Sequence, residues 1–168
     1  MPVDAGEFRN ALGRFASGVT VMTVRTTDGG DRGMTASAFS SLSLDPPLVL
    51  VCVKKGNTMD LALRGAAGFA VNLLAQDQVA LSNRFAGYSA APADRVDDLD
   101  ISRGPFSGAA WLPGAIARLD CALHQVLDGG DHHIYLGRVE AVDAPGARED
   151  QRPLLYFAGA YRAAGDKL

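Results

Sequence analysis

The sequence predicts a mainly β domain, an antiparallel barrel or sandwich with an N-terminal helix and a few short helices appended. Three observations carry that expectation. Strand-like runs number six to eight, against two or three helical patterns. Two pairs of the runs are joined by glycine-rich hairpin signals, Thr27-Asp28-Gly29-Gly30 and Asp128-Gly129-Gly130-Asp131. Strands and helices do not alternate as βαβ units require, which disfavours a doubly wound sheet.

In chain order, Asp4 and Glu7 have capping-box spacing, and Phe8, Ala11, Leu12 and Phe15 follow at i, i+3, i+4 and i+7. Gly18 is the expected helix stop. The period changes at Val19, where VTVMTVRT is rich in β-branched residues and runs into the first hairpin. RGMTASAFSSLSL comes next, built of small and hydroxyl residues and closed by Asp45-Pro46-Pro47. LVLVCV, residues 48–53, reads as a strand buried on both faces. Lys54-Lys55-Gly56 breaks that run, and Asn57-Thr58 caps a short helix reaching Arg64. FAVNLL, residues 69–74, is another strand, and residues 76–85 have helical spacing in Val79, Leu81 and Phe85. Residues 86–105 are polar and read as a long surface loop, of the length that often carries function. The last third returns to β: 116–127 and 134–142 flank the second hairpin signal, and 154–161 closes the chain as one short aromatic strand. No internal repeat or domain boundary is visible, so residues 1–168 are expected to form one domain.

Composition narrows the function classes. Of the 168 residues, 48% are hydrophobic and 21% charged, enough for a packed core. Sixteen basic against nineteen acidic residues give a net charge of −3, with no basic stripe of the kind a nucleic acid or an anionic membrane needs. The N-terminus carries acid where a signal peptide carries positive charge, and no apolar run approaches a membrane span. Cys52 and Cys121 sit in apolar segments and read as buried free thiols of a cytoplasmic protein. The 19 glycines exceed ordinary usage without any repeat, implying many turns or backbone brought close to a ligand.

Two segments have the chemistry of a ligand site. In Thr35-Ala36-Ser37-Ala38 with Ser40 and Ser41, small side chains let backbone approach a flat ring while hydroxyls and amides bond its polar edge. A strand packed closely on a neighbour has the same composition. Asn57-Thr58, after two lysines and a glycine, is a candidate phosphate cradle with Lys54 or Lys55 as countercharge, or an ordinary helix cap. His132 and His133 are adjacent on a strand and point to opposite faces, and no zinc spacing is present, so a metal is not expected. There is no G-x-S-x-G elbow, G-x-G-x-x-G or Walker sequence, and neither cysteine has the polar surroundings of an activated thiol.

Taken together, FRNALGRFASGVTVMTV, GMTASAFSSLSLDPPLVLVCV, FAVNLL, LSNRFAG, GDHHIYLGRV and PLLYFAGAYR resemble, in order, the flavin reductase-like proteins of the FMN-binding split barrel class. More narrowly, the chain is similar to the NAD(P)H:flavin reductase components of two-component flavin monooxygenases of the phenol and 4-hydroxyphenylacetate type. The resemblance spans residues 8–162. It implies a six-stranded antiparallel Greek-key split β-barrel and a homodimer. It also implies FMN or FAD as flavin, NADH (with NADPH as the alternative) as hydride donor, and a separate flavin-dependent monooxygenase as partner.

Residue by residue, the resemblance places Thr35, Ala36, Ser37, Ala38 and Ser41 along the flavin ring and Cys52 and Val53 where backbone nears it. Asn57, Thr58 and Met59 match a phosphate-side loop, and Asn83, Arg84 and Phe85 border the ribityl and phosphate end. His132 matches a nicotinamide-nucleotide motif with a gating role, and Tyr161 helps hold the same ligand; His133 departs from the usual less polar residue. Hydride passes between cofactors, so no catalytic side chain is implied. A non-catalytic flavin-binding module of the same fold, or a reductase of another acceptor such as ferric chelates, stays open as an alternative. On this reading Gly33, Gly56, Gly87, Gly130 and Gly159 clear backbone for two flat nucleotides.

Overall fold

The computed structural model describes residues 3–88, 94–144 and 151–166. Three helices are present among them: α1 (Ala5–Leu12), α2 (Thr58–Leu63) and α3 (Val79–Phe85). The strands are β1 (Ser17–Gly18), β2 (Thr20–Arg25), β3 (Asp31–Ala36), β4 (Phe39–Leu44), β5 (Pro47–Lys54), β6 (Gly68–Leu73), β7 (Ser102–Arg103), β8 (Ala110–Trp111), β9 (Ala117–Gly129), β10 (His132–Asp143), β11 (Leu154–Phe157) and β12 (Ala160–Ala163). The fold is mainly β, and every ladder between these strands is antiparallel.

The main sheet has seven strands in the order β3-β2-β6-β9-β10-β5-β4. Its two edge strands, β3 and β4, are successive in the chain and separated only by Ser37 and Ala38. Edges that close in sequence cannot lie at opposite ends of a flat ribbon, so the sheet curls round on itself. The Cys52 amide donates to the Ala38 carbonyl at 3.0 Å, fastening that joint to β5.

The local chemistry explains these elements. All but the last residue of TVMTVR in β2 and of GFAVNL in β6 are buried, because both strands are covered on two sides. On one side lies a core of Met22, Val24, Val49, Val51, Val53, Leu63, Phe69, Val71 and Tyr135. On the other, Val19, Val21, Leu74, Phe85, Val96, Leu112 and Leu154 form a second cluster under α3. The β2–β3 hairpin turns through Gly29, whose φ of 81° is open to glycine at little cost.

Four expectations need correction. Helix α1 stops at Leu12 with Gly13 as its cap, and Gly18 lies in β1. The apolar spacing through Phe15 does not extend the helix because no residue of α1 is buried, while the Gly13 carbonyl is held by the Ala158 amide at 2.8 Å. Residues 154–161 do not form one strand: they span a hairpin of β11 and β12 that reverses at Ala158 (φ 50°) and Gly159. Strand β5 is core-packed on one face only, through Val49, Val51 and Val53, while Leu48, Leu50 and Cys52 are half-buried. The stretch 86–105, of which 89–93 fall outside the described residues, is anchored from within. Val96 is fully buried, Leu99 and Ile101 pack on the second cluster, and Arg84 binds Asp98.

Candidate functional site

Three contiguous clefts follow β3 into β4. The first, about 200 Å³, is walled by Arg32, Gly33 and Met34 of β3, by Asn57, Thr58 and Met59, and by Phe85, Ala86, Gly87 and Asp94. Ala86 leads into the second, about 120 Å³, where Thr35 and Ser37 face Ser82, Tyr88, Tyr156 and Tyr161. Ser37 and Val19 then border the third, an apolar hollow of about 350 Å³ reaching Phe15, Phe39 and Ile116.

Hydrogen bonds fix the middle of this track. The Thr35 hydroxyl donates to the Ser82 carbonyl at 2.7 Å, tying β3 to α3. The Tyr161 hydroxyl donates to Asn83 Oδ1 at 3.0 Å and lies 2.9 Å from the Ser82 hydroxyl. Tyr156 meets the Tyr161 ring edge-on, with centroids 5.5 Å apart. The structure thus brings Thr35, Ser37, Asn83 and Tyr161 together, and joins Asn57, Thr58, Met59 and Phe85 at the neighbouring end.

Other residues singled out from the sequence are engaged elsewhere. Ala36 is buried, and its carbonyl accepts from the Thr20 hydroxyl at 2.6 Å. Val53 points into the core, and the Cys52 amide is committed to Ala38. Met59 is 3% exposed and packs in the core beside the first cleft. Arg84 turns away to Asp98 (2.5 and 2.8 Å) and the Arg95 carbonyl. That ion pair raises the Arg84 pKa, against burial, and lowers that of Asp98. Ala38 and Ser41 are exposed on the joint and on β4, outside the three clefts. Gly33 does not clear space for a ligand: a Cβ there would stand 2.4 Å from the Phe85 ring, so the ring fills it.

His132 lies outside the clefts, at the start of β10 opposite Lys54, with Nδ1 2.8 Å from Asp131. The Lys55 amide donates to the Asp131 carbonyl, so the hairpin end carrying His132 and the loop carrying Asn57 share one rim. Lys55 Nζ is paired with Asp128 at 2.5 Å, and neither lysine lines a cleft. His133 points the other way, to Asp60 at 2.6 Å.

Asp60 is the buried hub beneath this rim. It accepts from Tyr135 Oη (2.6 Å), the Gly56 amide (2.8 Å) and Arg64 Nη2 (2.8 Å) in addition to His133. Burial alone would push its carboxyl up; hydrogen bonds from Tyr135, Gly56, His133 and Arg64 outweigh that and hold it well below the usual carboxylate range. The Asn57 side chain accepts from the Asp60 amide at 2.8 Å, so the hub also sets the loop that walls the first cleft. Its only trace in the sequence is a carboxylate three residues after Asn57; Arg32 and Asp94 leave none, because their pairing is tertiary.

The site holds no nucleophile–base pair. Burial, with Asp120 and Glu140 nearby, pushes the Cys121 thiol up to about 12, and no group of three His, Cys, Asp or Glu side chains suited to a metal occurs among the described residues. What the site offers is a track of hydroxyl, amide and aromatic groups with polar and apolar stretches in sequence. Residues 12–165 match the family model described as flavin reductase like domain. The chain belongs to the flavin reductase-like family. Among relatives of this family, it is 41% identical over 162 residues to the NADH-dependent FAD reductase of Streptomyces globisporus, covering 96% of this chain and 86% of the relative. It is 43% identical over 155 residues to the 4-hydroxyphenylacetate 3-monooxygenase reductase component of Thermus thermophilus, covering 92% and 93%. Among solved structures, the NADH:FAD oxidoreductase SgcE6 of Streptomyces globisporus C-1027 with NAD and FAD fragments matches at TM-score 0.85 and 38% identity, covering 98% of this chain and 97% of that one. Flavin reductase PheA2 matches at TM-score 0.87 and 36% identity, covering 98% and 100%.

Proposed function

We propose that this protein is an NADH-dependent flavin reductase that passes hydride to FMN or FAD and supplies the reduced flavin to a separate flavin-dependent monooxygenase. The observation that carries the reading is the track along β3, which offers binding groups in the order a flavin nucleotide presents its parts and no nucleophile–base pair. Bound together, the two cofactors supply the hydride chemistry. The protein's share is binding and orientation. Asn57 and Thr58 take the phosphate end. Thr35 and Ser37 lie along the ring. Asn83 holds Tyr161 at its border. His132, on the rim beside the Lys54–Asn57 loop, takes the nicotinamide nucleotide.

β3 and β4 count as the two halves of one bent strand, which turns the seven strands of the sheet into a six-stranded Greek-key split barrel. Residues 1–168 act as one domain, as a homodimer, in the cytoplasm. No helix among the described residues is long and apolar enough to cross a membrane. The dimer is supported by apolar side chains left in solvent, among them Phe8, Leu12 and Phe15 near the N-terminus and Leu42 and Leu44 on β4.

The test is NADH oxidation by purified protein with FMN or FAD added, and with NADPH in place of NADH. Turnover that depends on free flavin is the expected result. Flavin binding without turnover would reduce the protein to a binding module, and turnover only with ferric chelates would make it a different reductase.

A further inference from the structure

A phosphate drawn into a cleft is held more strongly where a cation joins neutral groups such as Asn57 and Thr58. The two lysines that precede Asn57 lie outside that cleft, and Lys55 is bound to Asp128. Arg84 is bound to Asp98. The charged residues that wall the cleft are Arg32, at the start of β3, and Asp94. They face each other, with Arg32 Nε 3.2 Å from Asp94 Oδ2 and both side chains partly exposed.

We infer that Arg32 is the countercharge for the flavin phosphate and that Asp94 competes with the phosphate for it. The inference rests on the flavin reading above and deepens it. A guanidinium fork suits a phosphate, where it can donate two parallel hydrogen bonds. The existing pair is a single contact between partly exposed groups, the kind of ion pair that contributes little and exchanges readily. Asp94 cannot simply leave when displaced, because its carbonyl accepts from the Gly33 amide at 2.9 Å and keeps the residue at the cleft wall. Its carboxylate therefore draws Arg32 back and repels the phosphate after each encounter. A reductase that hands its flavin on gains from such a competitor, which weakens the hold on phosphorylated flavin without touching the ring.

The experiment compares FMN with riboflavin, which has the same ring and ribityl chain but no phosphate. Affinities are read from quenching of flavin fluorescence on the unaltered protein, Arg32→Ala, Arg32→Lys and Asp94→Asn. Arg32→Ala should weaken FMN about tenfold, the loss of one charge-assisted hydrogen bond or more, and leave riboflavin unchanged. Arg32→Lys should recover part of the loss, and Asp94→Asn should tighten FMN about threefold with riboflavin again unchanged. Retained riboflavin binding shows that each variant is folded. Equal weakening of both flavins in Arg32→Ala, or unchanged FMN affinity, overturns the assignment of Arg32. Unchanged FMN affinity in Asp94→Asn overturns the competition. NADH-driven reduction by the unaltered protein reports separately: if it is intact while Arg32→Ala binds FMN normally, the assignment fails and the reductase reading stands. If the unaltered protein binds neither flavin, both fall.

Discussion

Asp60 has no solvent exposure, yet it joins three parts of the molecule: its own helix, the Gly56 turn and the β10 pair His133 and Tyr135. Replacing it with Asn puts an amide nitrogen among donors and leaves at least one of them unpaired, so Asp60→Asn should lower stability by about 2–3 kcal/mol. The sign of its pH dependence follows from a folded-state carboxyl held below the ordinary carboxylate value. Its stabilisation is complete above the unfolded value and is lost as pH falls through the folded one, so the gap between parent and variant urea midpoints should be full near neutrality and shrink below about pH 4. At the rim above, His132→Ala should raise the KM for NADH about fivefold and leave flavin affinity unchanged; steady-state kinetics with flavin-binding titrations check this, and equal effects on both ligands would remove the assignment. At this scale the sequence was informative where chemistry is local. The hydroxyl of Thr35 stands out by type and context and Tyr161 through the family resemblance, and both meet at Ser82. Arg84 stood out too, but its partner Asp98 is reached only through the fold, and nothing adjacent to it in sequence announces that it turns away from the clefts.

Among the elements, strands are legible as short apolar runs rich in β-branched residues, as those of β2, β5 and β6 show. Ends were less so. Gly13 and Gly18 carry the same signal for a helix stop, and only the Ala158 contact to Gly13 chooses between them. The β11–β12 turn was hidden because Ala158, a residue without turn preference, takes the positive φ. The β6–β9 ladder offers a sharp test of how closely these elements are packed. A Cβ on Gly68 would lie 2.1 Å from the Cys121 carbonyl oxygen, a backbone atom that cannot swing aside. Gly68→Ala should therefore cost about 3 kcal/mol or more, read as a large fall in Tm, whereas Gly87→Ala, facing open space, should carry only the smaller penalty of its positive φ.

For the whole molecule, the exposed apolar side chains of α1, of Phe15 just after it and of β4 predict self-association. Light scattering coupled to size-exclusion chromatography should give twice the 17.6 kDa chain mass, and Phe15→Glu with Leu44→Glu should shift it towards the single chain. A single-chain mass for the parent protein would overturn the homodimer. The joint at Ser37 and Ala38 has a consequence of a different kind. Because it holds the two outermost strands of the ladder within two residues of each other, neither can easily recruit a strand from another molecule. A flexible insertion between Ser37 and Ala38 would let those strands part and expose two unpaired backbones, one of them β4 with its apolar Leu42 and Leu44. The joint, whose Ser37 borders the ligand track, is thus also a safeguard against aggregation, and loss of solubility would accompany loss of binding when that joint is lengthened.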